Sequence, residues 1–201
     1  MTRRSPTHFR RQVRPFSLPP ELEALPLRPI GVARTPFQFR EEAPRQPGVG
    51  EPRDGVIVLR PGLQNTLHSL AGFDYVWALF WFHHSHGWKQ QLIPPRDTVK
   101  RGVFATRSPD RPNPIGMSAL RIISIYGTHL HVRGIDLLEG TPVLDLKPYI
   151  PAYDSLPGAS AGWVDQLVQP GPDHRVRADA PSTRVDGASA PITPSYLPPV
   201  S

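Results

Sequence analysis

The sequence predicts an all-β protein: a closed or nearly closed barrel with one short helix, flanked by disordered tails. Three observations lead there. The apolar runs are short, rich in β-branched and aromatic residues, and separated by Gly/Pro-containing turns. No segment of helical period is long enough to serve as the crossover between parallel strands, which disfavours a βαβ sheet. The 27 prolines among 201 residues gather toward the two ends and in the connections, so the folded unit is shorter than the chain.

The elements follow in order. Residues 1–26 hold Arg3, Arg4, Arg10, Arg11 and Arg14 among prolines without a hydrophobic period, a composition that reads as a flexible arm. Residues 27–167 form the folded domain. Ile30 to Arg34 is a short strand stopped at Thr35-Pro36, and residues 40–54 are a polar loop. Val56 to Leu59 is a buried strand. Pro61-Gly62 opens a short helix carrying Leu63, Leu67 and Leu70 on one face. Phe73 to Phe82 is nearly all apolar, which predicts a strand buried on both faces. Residues 87–101 read as loop and Gly102 to Thr106 as a strand. Residues 107–116, with three prolines, are neither helix nor central strand.

Leu120–Tyr126 and Leu130–Ile135 flank Gly127-Thr128, a hairpin in which Val132, Gly134 and Asp136 share one parity. Leu137 to Thr141 is a loop and Val143 to Leu146 a strand; beyond it the chain turns out through Pro148. Residues 168–201 are Pro/Ser/Ala/Gly-rich and read as a disordered tail.

The absence of cysteine excludes disulfides, thiolate metal sites and a cysteine nucleophile, and fits a reducing compartment. No apolar run approaches the roughly 18 residues of a membrane helix, and the Arg-rich start lacks the apolar middle of a secretory signal. The expectation is a cytoplasmic protein with no membrane partner. A formal charge of +6 favours anionic partners such as phosphates.

Three constellations carry chemistry. His83-His84-Ser85-His86 ends the aromatic strand; with no carboxylate or cysteine at ligand spacing, it predicts no metal. Gly102 to Gly116 (GVFATRSPDRPNPIG) is a stiff loop in which Arg107 and Arg111 offer permanently charged forks and Asn113 an amide. Asp136 to Tyr149 (DLLEGTPVLDLKPY) puts Asp136, Glu139, Asp145, Lys147 and Tyr149 in one strand-loop-strand segment. Asp145 and Lys147 there share a face. Dinucleotide, P-loop and nucleophile-elbow signatures are absent.

PIGVARTPF (29–37), PRQPG (44–48), GFDYVWALFWFH (72–83), PPR (94–96), GVFATRSPDRPNPIGMS (102–118) and DLLEGTPVLDLKPYIP (136–151) together resemble the TsaA-like family of TrmO-type tRNA methyltransferases. The likeness runs over roughly residues 28–165, in family order. It implies a β-barrel enzyme using S-adenosylmethionine to methylate N6 of threonylcarbamoyl-adenosine beside the anticodon, and acting as a homodimer. It places the methyl donor against Gln46, Pro47, Gly48, His83, His84, Arg107, Met117, Glu139, Gly140 and Thr141. Arg111 and Asn113 are expected to orient the substrate, Asp145 to accept its proton, and Tyr149 to stand with them; the rings of Tyr75, Trp77 or Trp81 could face the donor's sulfonium, although a core position is favoured. Full-length bacterial relatives carry a C-terminal DPRPxY motif, where this chain has its Pro-rich tail. The alternatives are a non-catalytic S-adenosylmethionine-binding regulatory module, or a metal hydrolase built on the histidine cluster.

Overall fold

The computed structural model describes residues 18–19, 25–95 and 97–167. Most of the Arg-rich arm and the whole of 168–201 lie outside the described residues. Eight strands form: β1 (Gly31–Arg34), β2 (Asp54–Leu59), β3 (Tyr75–Trp81), β4 (Gln91–Leu92), β5 (Arg101–Gly102), β6 (Ile115–Tyr126), β7 (His129–Arg133) and β8 (Pro142–Pro148). Six of them close into a barrel in the order β1-β2-β7-β6-β3-β8, every pair antiparallel, while β4 and β5 pair apart. Closure leaves the barrel without open edges, as a chain of short strands requires.

The inside is filled from alternate positions: Ile57 and Leu59, Val76, Ala78 and Phe80, Leu120, Leu130 and Val132, and Val143 are all buried. Two register shifts help a small barrel bend. One lies in β6 between Ile122 and Ser124, the other where β8 passes Leu79 and Phe80 of β3. Gly31 sits where β1 meets both neighbours, opposite Leu59 of β2 and Val143 of β8.

Because all six strands alternate in direction, each rim gathers a fixed set of connections. One rim, the mouth, carries the β1–β2 loop (35–53), the long connection from β3 to β6 (82–114) and the β7–β8 loop (134–141). The opposite rim carries the 60–74 connection, the tight 127–128 turn and the exit of β8.

Several expectations need correction. The helix after Pro61 is two 3₁₀ turns, Gln64–Leu67 and Leu70–Gly72, and the single α-helix among the described residues is α1 (Pro151–Asp154). Leu67 still seals the core and Leu63 and Leu70 pack against it, so the apolar spacing was right and the helix type wrong. Gly102–Thr106 is not a strand: Gly102 ends β5, and Val103–Ala105 is a 3₁₀ turn closed by Thr106 N–H and Thr106 Oγ1 on the Val103 carbonyl. Phe104 is 78% exposed, so the alternation a strand would impose is missing. The 87–101 loop contains β4, and β8 runs through Pro148 rather than stopping at Leu146.

The largest correction concerns β3. Val76, Ala78 and Phe80 point inward, but Tyr75, Trp77, Leu79 and Trp81 point outward and are only partly covered. The three rings expected in the core therefore line the outside of the barrel wall. A six-stranded barrel has one interior, and its volume goes to the smaller side chains of the inward parity.

Beyond β8, Trp163 is tied back to the body. Its indole N–H donates to the Ala105 carbonyl at 2.8 Å, and Arg101 stacks over its ring at 5.2 Å. Arg101 is itself held by buried Asp97 at 2.9 Å. No described helix is long and apolar enough to cross a membrane.

Candidate functional site

The mouth collects three loops, and side chains stitch them together. In the β1–β2 loop, Pro47 and Gly48 make a turn closed by Val49 N–H on the Gln46 carbonyl at 3.2 Å. Gly48 has φ of +80°, which suits glycine at this turn position. The turn presents Gln46, whose Nε2 donates to the Arg45 carbonyl and whose Oε1 accepts from Arg107 Nη1. One bond thus joins the first loop to the proline-rich loop. Ser85 Oγ hydrogen-bonds Asp110 Oδ1 at 2.9 Å and the Pro109 carbonyl at 3.0 Å, tying the histidine cluster to the same loop. Phe82 N–H donates to the Pro114 carbonyl at 2.7 Å. Arg111 reaches the Thr106 carbonyl at 3.4 Å, and the Asn113 carbonyl accepts from Ile115 N–H, so both expected substrate-orienting residues belong to this loop.

The third loop is locked to β1. Glu139 accepts from Arg34 Nη1 and from Thr35 N–H, both at 2.7 Å. Gly140 N–H donates to the Ala33 carbonyl, and buried Thr141 accepts from Ala33 N–H. Burial acts to raise the Glu139 carboxyl pKa, but the hydrogen bonds and charge of Arg34 and the Thr35 N–H prevail and hold it below its ordinary value. Glu139 therefore spends its side chain on fixing the loop.

His83 and His84 stand with ring centroids 3.9 Å apart and planes tilted by 43°. Burial pushes the His83 pKa down and the charge of His84 pushes the same way, against a hydrogen bond to the Trp81 carbonyl. His83 is accordingly a neutral imidazole at neutral pH, able to meet a cation or an aromatic base without repulsion. Among the described residues no three histidine or acidic side chains converge as metal ligands.

Nine of the ten expected donor-binding residues thus gather at one rim. Met117 is the exception: it lies on the outer face of β6, 48% exposed, across from Leu79. Asp145 is also across from Leu79, on the other side, and also outward. Its carboxylate is held by Lys147 Nζ at 2.7 Å and by Leu146 N–H at 2.9 Å. Tyr149 packs on Trp77 at 5.4 Å and Tyr75 at 6.2 Å, seven residues beyond Pro142 and hence about 20 Å from the mouth along the strand. Within one chain the structure does not bring Asp145 or Tyr149 to the mouth. A cavity of about 350 Å³ opens at the opposite rim, lined by Leu59, Leu63, Leu67, Phe73, Leu146 and Asp145 among others, and contains none of the mouth residues.

One residue of the third constellation, Asp136, has no expected role in the site, yet it stands at the mouth. Asp136 follows β7 past the left-handed Gly134 and lies between Ile135 and Leu137, both buried in the core. Its Oδ1 is buried without a hydrogen-bond partner. Burial pushes its pKa up to about 6, against a hydrogen bond from Ser118 and the nearby Arg107 guanidinium. The folded value exceeds the unfolded one, so folding favours the protonated acid. This contribution to stability, about 3 kcal/mol from the shift, is complete below about pH 4 and lost as pH rises through 6. Asp136→Asn should therefore melt higher than the parent near pH 8, with the gap closing toward pH 4. Thermal unfolding without ligand checks this, and a gap independent of pH would contradict it.

Fold and mouth define a class: a six-stranded antiparallel barrel whose loops present a guanidinium, paired imidazoles and a buried carboxyl at one rim. Residues 32–155 match the family of tRNA-methyltransferase O N-terminal domains, and the chain belongs to that family. It is 36% identical over 142 residues to a probable S-adenosyl-L-methionine-binding protein of Pyrococcus abyssi, covering 70% of this chain and 77% of that one. It is 40% identical over 144 residues to the tRNA (adenine(37)-N6)-methyltransferase of Escherichia coli, covering 67% of this chain and 61% of the enzyme. The solved structure of TrmO from Pseudomonas aeruginosa superposes with a TM-score of 0.62 at 38% identity, covering 76% of this chain and 67% of that one.

Proposed function

We propose that the protein is an S-adenosylmethionine-dependent methyltransferase acting on N6 of threonylcarbamoyl-adenosine next to the tRNA anticodon. The observation that carries this reading is the convergence of Gln46–Gly48, His83-His84, Arg107 and Glu139–Thr141 on one rim, inside the span that matches the family. The residues fit the donor. Arg107 offers a planar fork for its carboxylate, neutral His83 tolerates its cationic sulfur, and the Gln46–Gly48 turn supplies an amide and open backbone.

Bound there, the donor supplies a methyl group on positively charged sulfur for in-line displacement by a nitrogen. The work left to the chain is positioning, and the cross-stitched loops suit that role because their side chains are fixed before any ligand arrives. Arg111 and Asn113, on the same stiff loop, orient the nucleoside. Asp145 and Tyr149, on the outer wall, serve the mouth of the partner in a dimer, where Asp145 accepts the N6 proton. The outward row Tyr75, Trp77, Leu79 and Trp81, with exposed Met117, supports a homodimer through this face, since large apolar surfaces of this kind mark association sites. A monomer by light scattering at micromolar concentration would remove the dimer.

The test is direct. Purified protein, S-adenosylmethionine and tRNA bearing threonylcarbamoyl-adenosine are incubated, and the digested nucleosides are weighed. One added methyl on that nucleoside is expected. Donor binding without any methyl transfer would overturn the enzyme and favour the non-catalytic module.

A further inference from the structure

We propose that Asp136 reads the α-ammonium group of the donor, side by side with the Arg107 fork that takes its carboxylate. The inference rests on the donor reading above and adds a residue and a chemical group to it. Asp136 Oδ1 is buried and has no hydrogen-bond partner. Other acids of the described residues are different: Asp54 is held by Arg133, Asp97 by Arg101, Glu139 by Arg34 and Asp145 by Lys147. A buried acceptor left without a donor costs about 1–3 kcal/mol, and more when charged. Such a group is kept where a ligand completes it.

The neighbourhood says what the ligand group is. Ser118, buried on the inward face of β6, serves the carboxyl from one side. Arg107 is close enough for its charge to act on Asp136, yet it donates to Gln46. The guanidinium and the carboxyl are therefore within electrostatic reach of each other without forming an ion pair. An α-amino acid end carries an ammonium and a carboxylate on one carbon, and its receptor needs an acid and a base so placed. A lone phosphate or carboxylate ligand would use Arg107 and be repelled by Asp136.

The test measures affinity, not turnover. The full chain and its Asp136→Asn variant are titrated calorimetrically near pH 8 with three compounds. These are S-adenosylmethionine, its decarboxylated form, which keeps the ammonium, and methylthioadenosine, which lacks both charged groups. The variant should bind the first two about tenfold or more weakly and the third unchanged, the size expected for one charge-assisted hydrogen bond. Unchanged affinity for S-adenosylmethionine, or equal weakening toward all three, would overturn the assignment, the latter because it marks a merely structural role. A parent protein silent toward all three would remove the donor reading itself, and this inference with it.

Discussion

Arg107→Ala should weaken S-adenosylmethionine binding about 100-fold, or roughly 3 kcal/mol, while leaving the thermal midpoint nearly unchanged. The two halves of this expectation have different causes. Arg107 is exposed, and the one hydrogen bond its side chain is seen to make runs to Gln46, so little folding energy depends on it. Its charge, however, is the cation that the mouth offers beside Asp136, and a planar fork binds a carboxylate through two parallel bonds. Arg107→Lys keeps the charge and loses the fork, so it should fall between the two at about tenfold. Calorimetry on the three proteins decides the matter. Equal affinities across them would remove Arg107 from the donor site.

Gly31→Val should prevent folding. A Cβ at this position would overlap the Val58 carbonyl oxygen and stand 2.9 Å from Leu59 Cα. Both are backbone atoms of the neighbouring strand and cannot turn aside as a side chain can. β1 bridges β2 and β8, so moving it opens the barrel. Overpacking a core costs about 1–3 kcal/mol when side chains can adjust. Backbone against backbone exceeds that range, and domains of this size have only about 5–15 kcal/mol in total. Gly102→Ala is the control: nothing lies within 4 Å of its Cβ, and its φ of −59° suits any residue. Circular dichroism should show a folded Gly102→Ala and an unfolded Gly31→Val. A Gly31→Val protein melting like the parent would show that β1 does not close the barrel in this register.

Much of this was legible in the sequence. The aromatic, apolar run Phe73–Phe82 and the hairpin about Gly127-Thr128 locate barrel strands without further help. The proline-rich run from Arg107 to Pro114 was recognisable as a stiff loop because proline removes both donor and freedom. What the sequence hid depends on closure. Trp77, Leu79 and Trp81 read as core because a two-sided apolar strand and a one-sided strand with a sticky outer face have the same letters. Val103-Phe104 reads as strand because propensity is local, whereas the Thr106 hydroxyl that closes the turn acts across three residues.

The site divides along the same line. The expected residues on the mouth loops come from short contiguous motifs that the fold brings to one rim. Asp145 and Tyr149 belong to an equally contiguous motif, yet β8 leads away from the mouth along the outer wall and runs two residues past Leu146, to Pro148. Asp136 is legible as a member of the acidic segment 136–149 but not as part of the mouth, because past Gly134 the core positions are Ile135 and Leu137. The letters of an acid between two apolar residues do not say that its carboxyl is buried; only the folded barrel shows that.

The central claim is that the mouth of this barrel binds S-adenosylmethionine, and calorimetric titration of the unaltered protein tests it most directly. The account predicts saturable binding at micromolar concentration, lost in Arg107→Ala. No heat of binding up to millimolar donor, from protein shown to be folded, would contradict it.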